Sequence, residues 1–405
     1  MNKKYNILYA SLGGILEFYD FILFVFFINV FSKIFFPPND LFWSSVYTYI
    51  AFGAGYLARP LGAIIMSHFG DIIGRKKIFY INMLFIVIPT FALAFLPSYE
   101  SIGLFSTFLL FVIRIIQGFA IGVEVSGAWV FVSEFVSLKY KAFVLGIISS
   151  TLTMGLLFGN IATLLIYHFF SFDEICTYAW RIPFFVGGIF GIFLIFIRKK
   201  LDETPEFIKI KKEKNILSFP LKEAFKTHKI SMLICFLMSV ILTSGIVTLM
   251  LLPKFFTELL YISNNEALLY QNMAIIAIIL GAFFQGYLTI FFNPYKIFIF
   301  FSVCFIFFSI CFCFYDKNFI YYYLLACFSQ GIITFAPLFM TSIFNTNLKF
   351  SALSFSYNIS YAIFSFLLSF FISFIYDNLE FYFIFVGFVC FISAYFVYKL
   401  KPNLC

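Results

Sequence analysis

Two carboxylates, Glu17 and Asp20, stand one helical turn apart in the otherwise apolar run LGGILEFYDFILFVFF at residues 12–27. The i, i+3 spacing puts both on one helix face. Arg59, Arg114 and Glu124 are also set among apolar residues, and Gln117 follows Arg114 at the same spacing. Glu124 lies ten residues after Arg114, about 80° around and about 15 Å along a helix axis. The chemistry open to such groups is proton uptake and release, carboxylate pairing and solute binding. Each lipid-facing charge costs about 3 kcal/mol, so five cost about 15 kcal/mol, as much as a whole folding free energy. They must therefore face an interior or a water-filled cavity and largely pair with one another. Three acids against two bases leave one negative charge that a bound proton can neutralise. A purely structural ion-pair network is the alternative.

The elements that hold these groups are membrane helices. The 405 residues are 63% hydrophobic and 11% charged, with mean hydropathy +1.01, far from the composition of a water-soluble domain. Twelve apolar windows are long enough to span a bilayer: 8–34, 43–67, 78–97, 103–132, 142–169, 181–198, 230–252, 267–291, 296–314, 319–342, 352–375 and 380–398. The polar stretch 198–229 divides them six and six, predicting a first bundle at 1–197, a linker at 198–229 and a second bundle at 230–405. With the N-terminus placed inside, 21 of the 27 basic residues fall in inner loops, four in outer loops and two within helices. That bias predicts both termini and the linker on the cytoplasmic side. It also accounts for the net charge of +8 without a nucleic-acid partner. Lys3 and Lys4 precede the first window with no small-residue cleavage site between, which reads as an uncleaved first helix.

Eight cysteines show no CxxC spacing and read as small buried hydrophobes, with no disulfide frame or metal cluster. The 67 phenylalanines read mainly as lipid-facing filler. Seventeen of the 22 glycines precede residue 200. Small residues at four-residue spacing (Ala54/Ala58/Gly62, Gly118/Gly122/Ser126, Thr151/Gly155/Gly159, Gly187/Gly191) predict close helix packing in the first half. In the linker, Thr204 before Pro205 and Glu206 reads as a helix start in a solvated segment lying on anionic lipid.

The turn SHFGDIIGRKK between the second and third windows resembles the loop motif of the major facilitator superfamily, with Asp71, Gly74, Arg75 and Lys76 matching. Ser67 and Ile72 depart from the pattern. LEFYDF, ARPLG, RIIQGFAIGVEVSGAWVFVSE, WRIPF with LDETPEF, and LSFSYNISYAIF resemble the metabolite:proton symporter branch of that superfamily. Lys349 stands where the branch has Arg. The resemblance spans most of the chain and fades over residues 230–345.

The resemblance implies an all-α membrane protein of twelve transmembrane helices in two six-helix bundles around a midplane site, working by rocking. It implies a proton-coupled importer of a small polar metabolite, a zwitterion such as proline or a betaine, in the inner membrane. A dicarboxylate or keto acid clamped by Arg59 and Arg114 is the alternative; a drug antiporter and a non-transporting sensor rank lower. Cavity and proton-coupling residues are expected to be Glu17, Asp20, Arg59, Arg114, Gln117, Glu124, Tyr357 and Asn358, with Asp20 the first choice for the proton, then Glu17 and Glu124. Asp71, Gly74, Arg75, Lys76 and Glu134 are expected to form a cytoplasmic gate, Asp71 meeting the start of the eleventh helix and Arg75 meeting Glu134. No cofactor and no metal is expected; the partners are the substrate, the proton and the bilayer, and the chain is expected to be monomeric. No phosphate loop, metal-ligand spacing or soluble catalytic domain points to an enzyme.

Overall fold

The computed structural model describes residues 3–37, 41–258, 261–314 and 319–374, with a few positions beyond; every regular element among them is a helix. Lipid offers no partner to a bare peptide group, so the apolar windows satisfy their backbones internally. Helix one (Lys3–Phe26) continues as Ile28–Ile34. Helices two to six are Leu41–Ile73, Arg75–Ala94, Leu104–Ser133, Leu138–Phe169 and Arg181–Lys199. Helices seven, eight, nine and eleven are Lys229–Glu258, Asn264–Leu288, Pro294–Phe314 and Lys349–Phe374. Helix ten is broken: Phe319–Ser329 and Phe335–Ser342 flank a 3₁₀ turn at Gln330–Thr334. Eight of the described helices are long and apolar enough to cross a membrane. The twelfth expected window lies outside the described residues.

The linker forms two short helices, Pro205–Lys212 and Pro220–Thr227. Thr204 caps the first, its hydroxyl accepting from Phe207 N at 3.3 Å, with Pro205 at the first helical position. The second meets helix seven at a bend of 100°. The linker is solvated on one face only: its Phe207 and Ile210 are buried, while residues 211–215 are exposed.

Packing in the first half depends on missing side chains. A Cβ on Gly62 would overlap the Phe119 carbonyl, one on Gly118 the Gly55 carbonyl, and one on Gly122 the Arg59 carbonyl. Helices two and four thus touch backbone to backbone, as small residues allow in lipid. Gly155 does the same against the Ile15 carbonyl of helix one, and Gly159 makes room there for the Ile22 side chain. Between the halves, helix five lies on helix eight and helix two on helix eleven. Two and eight, and five and eleven, are equivalent positions in a six-plus-six repeat, so the two seams are related by the repeat's symmetry.

Candidate functional site

A central cavity lies between the halves. Its lining includes Phe18 of helix one, Trp129 of helix four, Ser149 and Thr153 of helix five, Gln330 of the 3₁₀ turn, and Tyr357 and Tyr361 of helix eleven. Its volume is about 50 Å³, above what a buried water needs. No charged side chain is among its described lining residues. Of the eight residues expected to line a cavity, Tyr357 does so. The other seven are not among its described lining residues.

They form a row along the inward face of helix one. At the end of the row away from the loop-bearing turn, Gln117 donates to Asp20 at 2.6 Å and accepts from Arg114 at 2.9 Å, with Arg114 4.0 Å from Asp20. Arg114 also lies 4.1 Å over the Phe24 ring. In the middle, Arg59 donates to Asn358 of helix eleven at 3.1 Å and lies 4.6 Å over the Tyr361 ring. Asn358 in turn donates to the Gly122 carbonyl at 2.5 Å, tying the two halves together. Glu17, on helix one between these groups, is 3% exposed, and one of its carboxylate oxygens has no hydrogen-bond partner. At the end nearer the loop-bearing turn, Glu124 accepts from Asn82 at 2.8 Å and forms a two-pronged pair with Arg198.

Arg198 corrects the charge ledger. Counting it in the linker leaves three acids against two bases; the structure buries it on the last turn of helix six, and three acids meet three bases. Its signal is in the spacing: Gly187, Gly191, Leu194 and Arg198 follow steps of four, three and four along one buried helical stripe. Helix one admits the pair only because residue 13 is glycine, since a Cβ there would overlap the Arg198 guanidinium.

At the loop-bearing end the halves are latched. Asp71, at the end of helix two, accepts from Ser351 N and Oγ at 2.9 and 2.7 Å, a carboxylate on the first turn of helix eleven. Arg75 lies 3.1 Å from Asp71 and 3.5 Å from Glu134, and donates to the Thr346 carbonyl at 2.8 Å. Lys349 sits 3.9 Å from Glu134 and 3.0 Å from Glu206.

The linker supplies parts of this latch that motif reading missed. Thr204 donates to Glu134 at 2.5 Å, and Thr346 donates to Glu206 at 2.9 Å. Glu203 accepts from the backbone N–H groups of Arg75 and Lys76 at 3.1 and 3.3 Å, so Lys76 contributes its backbone. Gly74 (φ 117°) makes the break between helices two and three, in a conformation that disfavours other residues; a Cβ there would also strike Glu203. Burial pushes the Glu203 carboxyl up despite these donors. Glu206 is pushed up by burial as well, but the Lys349 charge and the bonds from Lys349 and Thr346 outweigh that and hold it below the usual carboxylate range.

Towards the opposite end, Asn160 of helix five donates to Gln271 and Asn272 of helix eight at 3.2 and 2.9 Å. This amide clasp also joins the halves and had no motif to announce it.

The family model described as sugar (and other) transporter matches residues 6–227. A citrate-proton symporter of Klebsiella pneumoniae is 33% identical over 201 residues, 50% of this chain and 45% of that protein. A proline/betaine transporter of Salmonella typhimurium is 30% identical over 287 residues, 68% of this chain and 56% of that protein. The chain thus spans about half the length of these curated relatives. Among solved structures, the proton:xylose symporter XylE with 6-bromo-6-deoxy-D-glucose bound superposes with a TM-score of 0.81 at 15% identity, covering 99% of this chain and 96% of that one. At that identity the likeness speaks for the fold, which is that of the major facilitator superfamily. With more than half of its length matched by the family model, this chain belongs to the sugar (and other) transporter family.

Proposed function

We propose that the chain is a proton-coupled secondary transporter that imports a small zwitterionic metabolite, such as proline or a betaine, by alternating access. The observation that carries this reading is the cavity between the halves, walled by Phe18, Trp129, Tyr357 and Tyr361 with no charged lining residue described. Aromatic faces hold a desolvated quaternary or secondary ammonium by about 2 kcal/mol, and the substrate's own carboxylate balances its charge. The latch at the loop-bearing end is built from polar contacts that water can replace, so it can open once per cycle. The basic-residue bias supports placing that end, with the N-terminus and the linker, in the cytoplasm.

The citrate-proton symporter among the relatives favours a second reading, a carboxylate substrate. It requires Arg59, which now lies over Tyr361 and bonds Asn358, to swing into the cavity.

Uptake of labelled proline, glycine betaine and citrate into proteoliposomes under an inward proton gradient decides between them. Accumulation of a zwitterion but not citrate is expected. Citrate uptake alone selects the second reading, and no gradient-driven uptake across a broad metabolite panel refutes transport. Labelling of a tag at residues 211–215 from outside intact cells would refute the orientation.

A further inference from the structure

The row holds three buried acids, and two of them have a cation within ion-pair distance. Asp20 has Arg114 at 4.0 Å and Gln117; Glu124 has Arg198 and Asn82. Glu17 is the exception. It is as deeply buried as the others and no described cation lies within ion-pair distance; one of its oxygens, like one of Asp20's, accepts no hydrogen bond. An ionised carboxylate left so in a dry interior is far costlier than a neutral acid.

The charged and titratable groups acting on Glu17 come from every side. They are Arg59 of helix two, Glu124 of helix four, Arg198 of helix six and Tyr357 of helix eleven. Arg59 is the strongest opposite charge among them. Yet Arg59 has no carboxylate partner among the described residues. Its Nε bonds Asn358 across the seam, and Tyr56, Tyr357 and Tyr361 surround its guanidinium at 5.6, 5.7 and 4.6 Å.

We propose that Glu17, and not Asp20, carries the coupling proton, and that Arg59 is the switch that expels it. The inference rests on the transport reading above. In the latched state, Asn358 holds Arg59 away and the Glu17 carboxyl stays neutral. When the loop-bearing end opens, helix eleven withdraws from helix two and Arg59 loses Asn358. Its guanidinium then turns to Glu17 and stabilises the carboxylate. The proton leaves the Glu17 oxygen for water entering from the opened end, and no other bond changes. Because Glu17 is not among the cavity's described lining residues, proton and substrate occupy separate spaces and are coupled through Asn358, a residue that touches both halves.

The test uses the full chain in proteoliposomes with labelled glycine betaine and an imposed pH gradient of one unit. One coupled proton then limits accumulation to about tenfold, or about 1.4 kcal/mol. Glu17→Gln is expected to bring accumulation from that limit to about unity, while counterflow falls by a smaller factor. Asn358→Ala releases Arg59 towards Glu17 in the latched state, so proton binding needs more acid and the pH dependence of uptake moves to lower pH. Infrared difference spectra of the purified protein, which need no substrate, should show a protonated-carboxyl band that Glu17→Gln removes. Persistence of that band in Glu17→Gln, wild-type accumulation by that variant, or an unmoved pH dependence in Asn358→Ala overturns the proposal. Failure of the wild type to take up glycine betaine instead refutes the substrate reading and leaves the infrared result to decide the fate of Glu17.

Discussion

Replacing Asp71 with Asn tests whether the loop-bearing latch sets the balance between closed and open states. Asp71 is 2% exposed, accepts two hydrogen bonds from Ser351 and pairs with Arg75 at 3.1 Å. Hydrogen bonds to an ionised acceptor contribute about 1.5–3 kcal/mol each, roughly twice the neutral value. Asn keeps one oxygen for Ser351 but removes the charge assistance from both bonds and leaves Arg75 with Glu134 as its ion-pair partner beside the Thr346 and Gly70 carbonyls. Half of each bond lost gives about 1.5–3 kcal/mol against the closed state, a shift of about tenfold to a hundredfold in the closed-to-open ratio. Spin labels at the exposed positions Lys77 and Asn345, in a background free of native cysteines, report the separation of the halves at that end by electron–electron double resonance. Asp71→Asn is expected to add a longer-distance population, and Ser351→Ala, which spares the backbone bond, a smaller one. An unchanged distance distribution together with a wild-type transport rate would refute the latch.

Three further outcomes follow from the packing and the charges. Gly62→Ala presses a methyl group into the Phe119 carbonyl, so the melting temperature in detergent should fall by an amount equivalent to about 1–3 kcal/mol; an unchanged melt would show that helices two and four separate freely. Arg198→Ala leaves Glu124 unpaired in the interior and should cost about 3–5 kcal/mol, partly restored by Glu124→Gln in the same chain, as thermal unfolding will show. Glu206 is held below the usual carboxylate range, so its contribution to the latch is complete above that range and is lost as pH falls through the depressed value; the label distance should hold from neutral to mildly acidic pH, and Glu206→Gln should widen it at neutral pH.

Much of the frame was legible because a bilayer imposes a long period on sequence. Apolar windows and the basic bias need only composition, and the helix two–four contact needs only small residues at steps of four. The structure shifts the register of that contact from Ala54 and Ala58 to Gly55, because the closest approach is set by facing carbonyls. Thr204 before Pro205 announced a cap through local chemistry alone. What failed to show was whatever depends on neighbours distant in the chain. Arg198 was counted in the linker because a hydropathy window ends at its first charge, although the stripe of Gly187, Gly191 and Leu194 points to it. Glu203 and Glu206 looked solvated, since nothing local says that Phe207 will be buried and bring them onto helices three and eleven. Nothing local sets Trp129 and Tyr361 apart among 95 aromatic residues; their membership of the cavity wall is a property of how the halves face each other.

The backbone seam between helices two and four has a mechanical consequence. Carbonyls resting against glycine backbones leave no side chain to compress or change rotamer, so the contact is stiff along its whole length. Force delivered to helix two at Asp71 reaches helix four undiminished, and the first half behaves as a lever. The second half carries such a contact at one place: Gly281 of helix eight lies against the Phe328 carbonyl and the Gly331 backbone, at the 3₁₀ turn that interrupts helix ten beside the cavity. A contact pinned at the break leaves the two flanks of helix ten to turn about it.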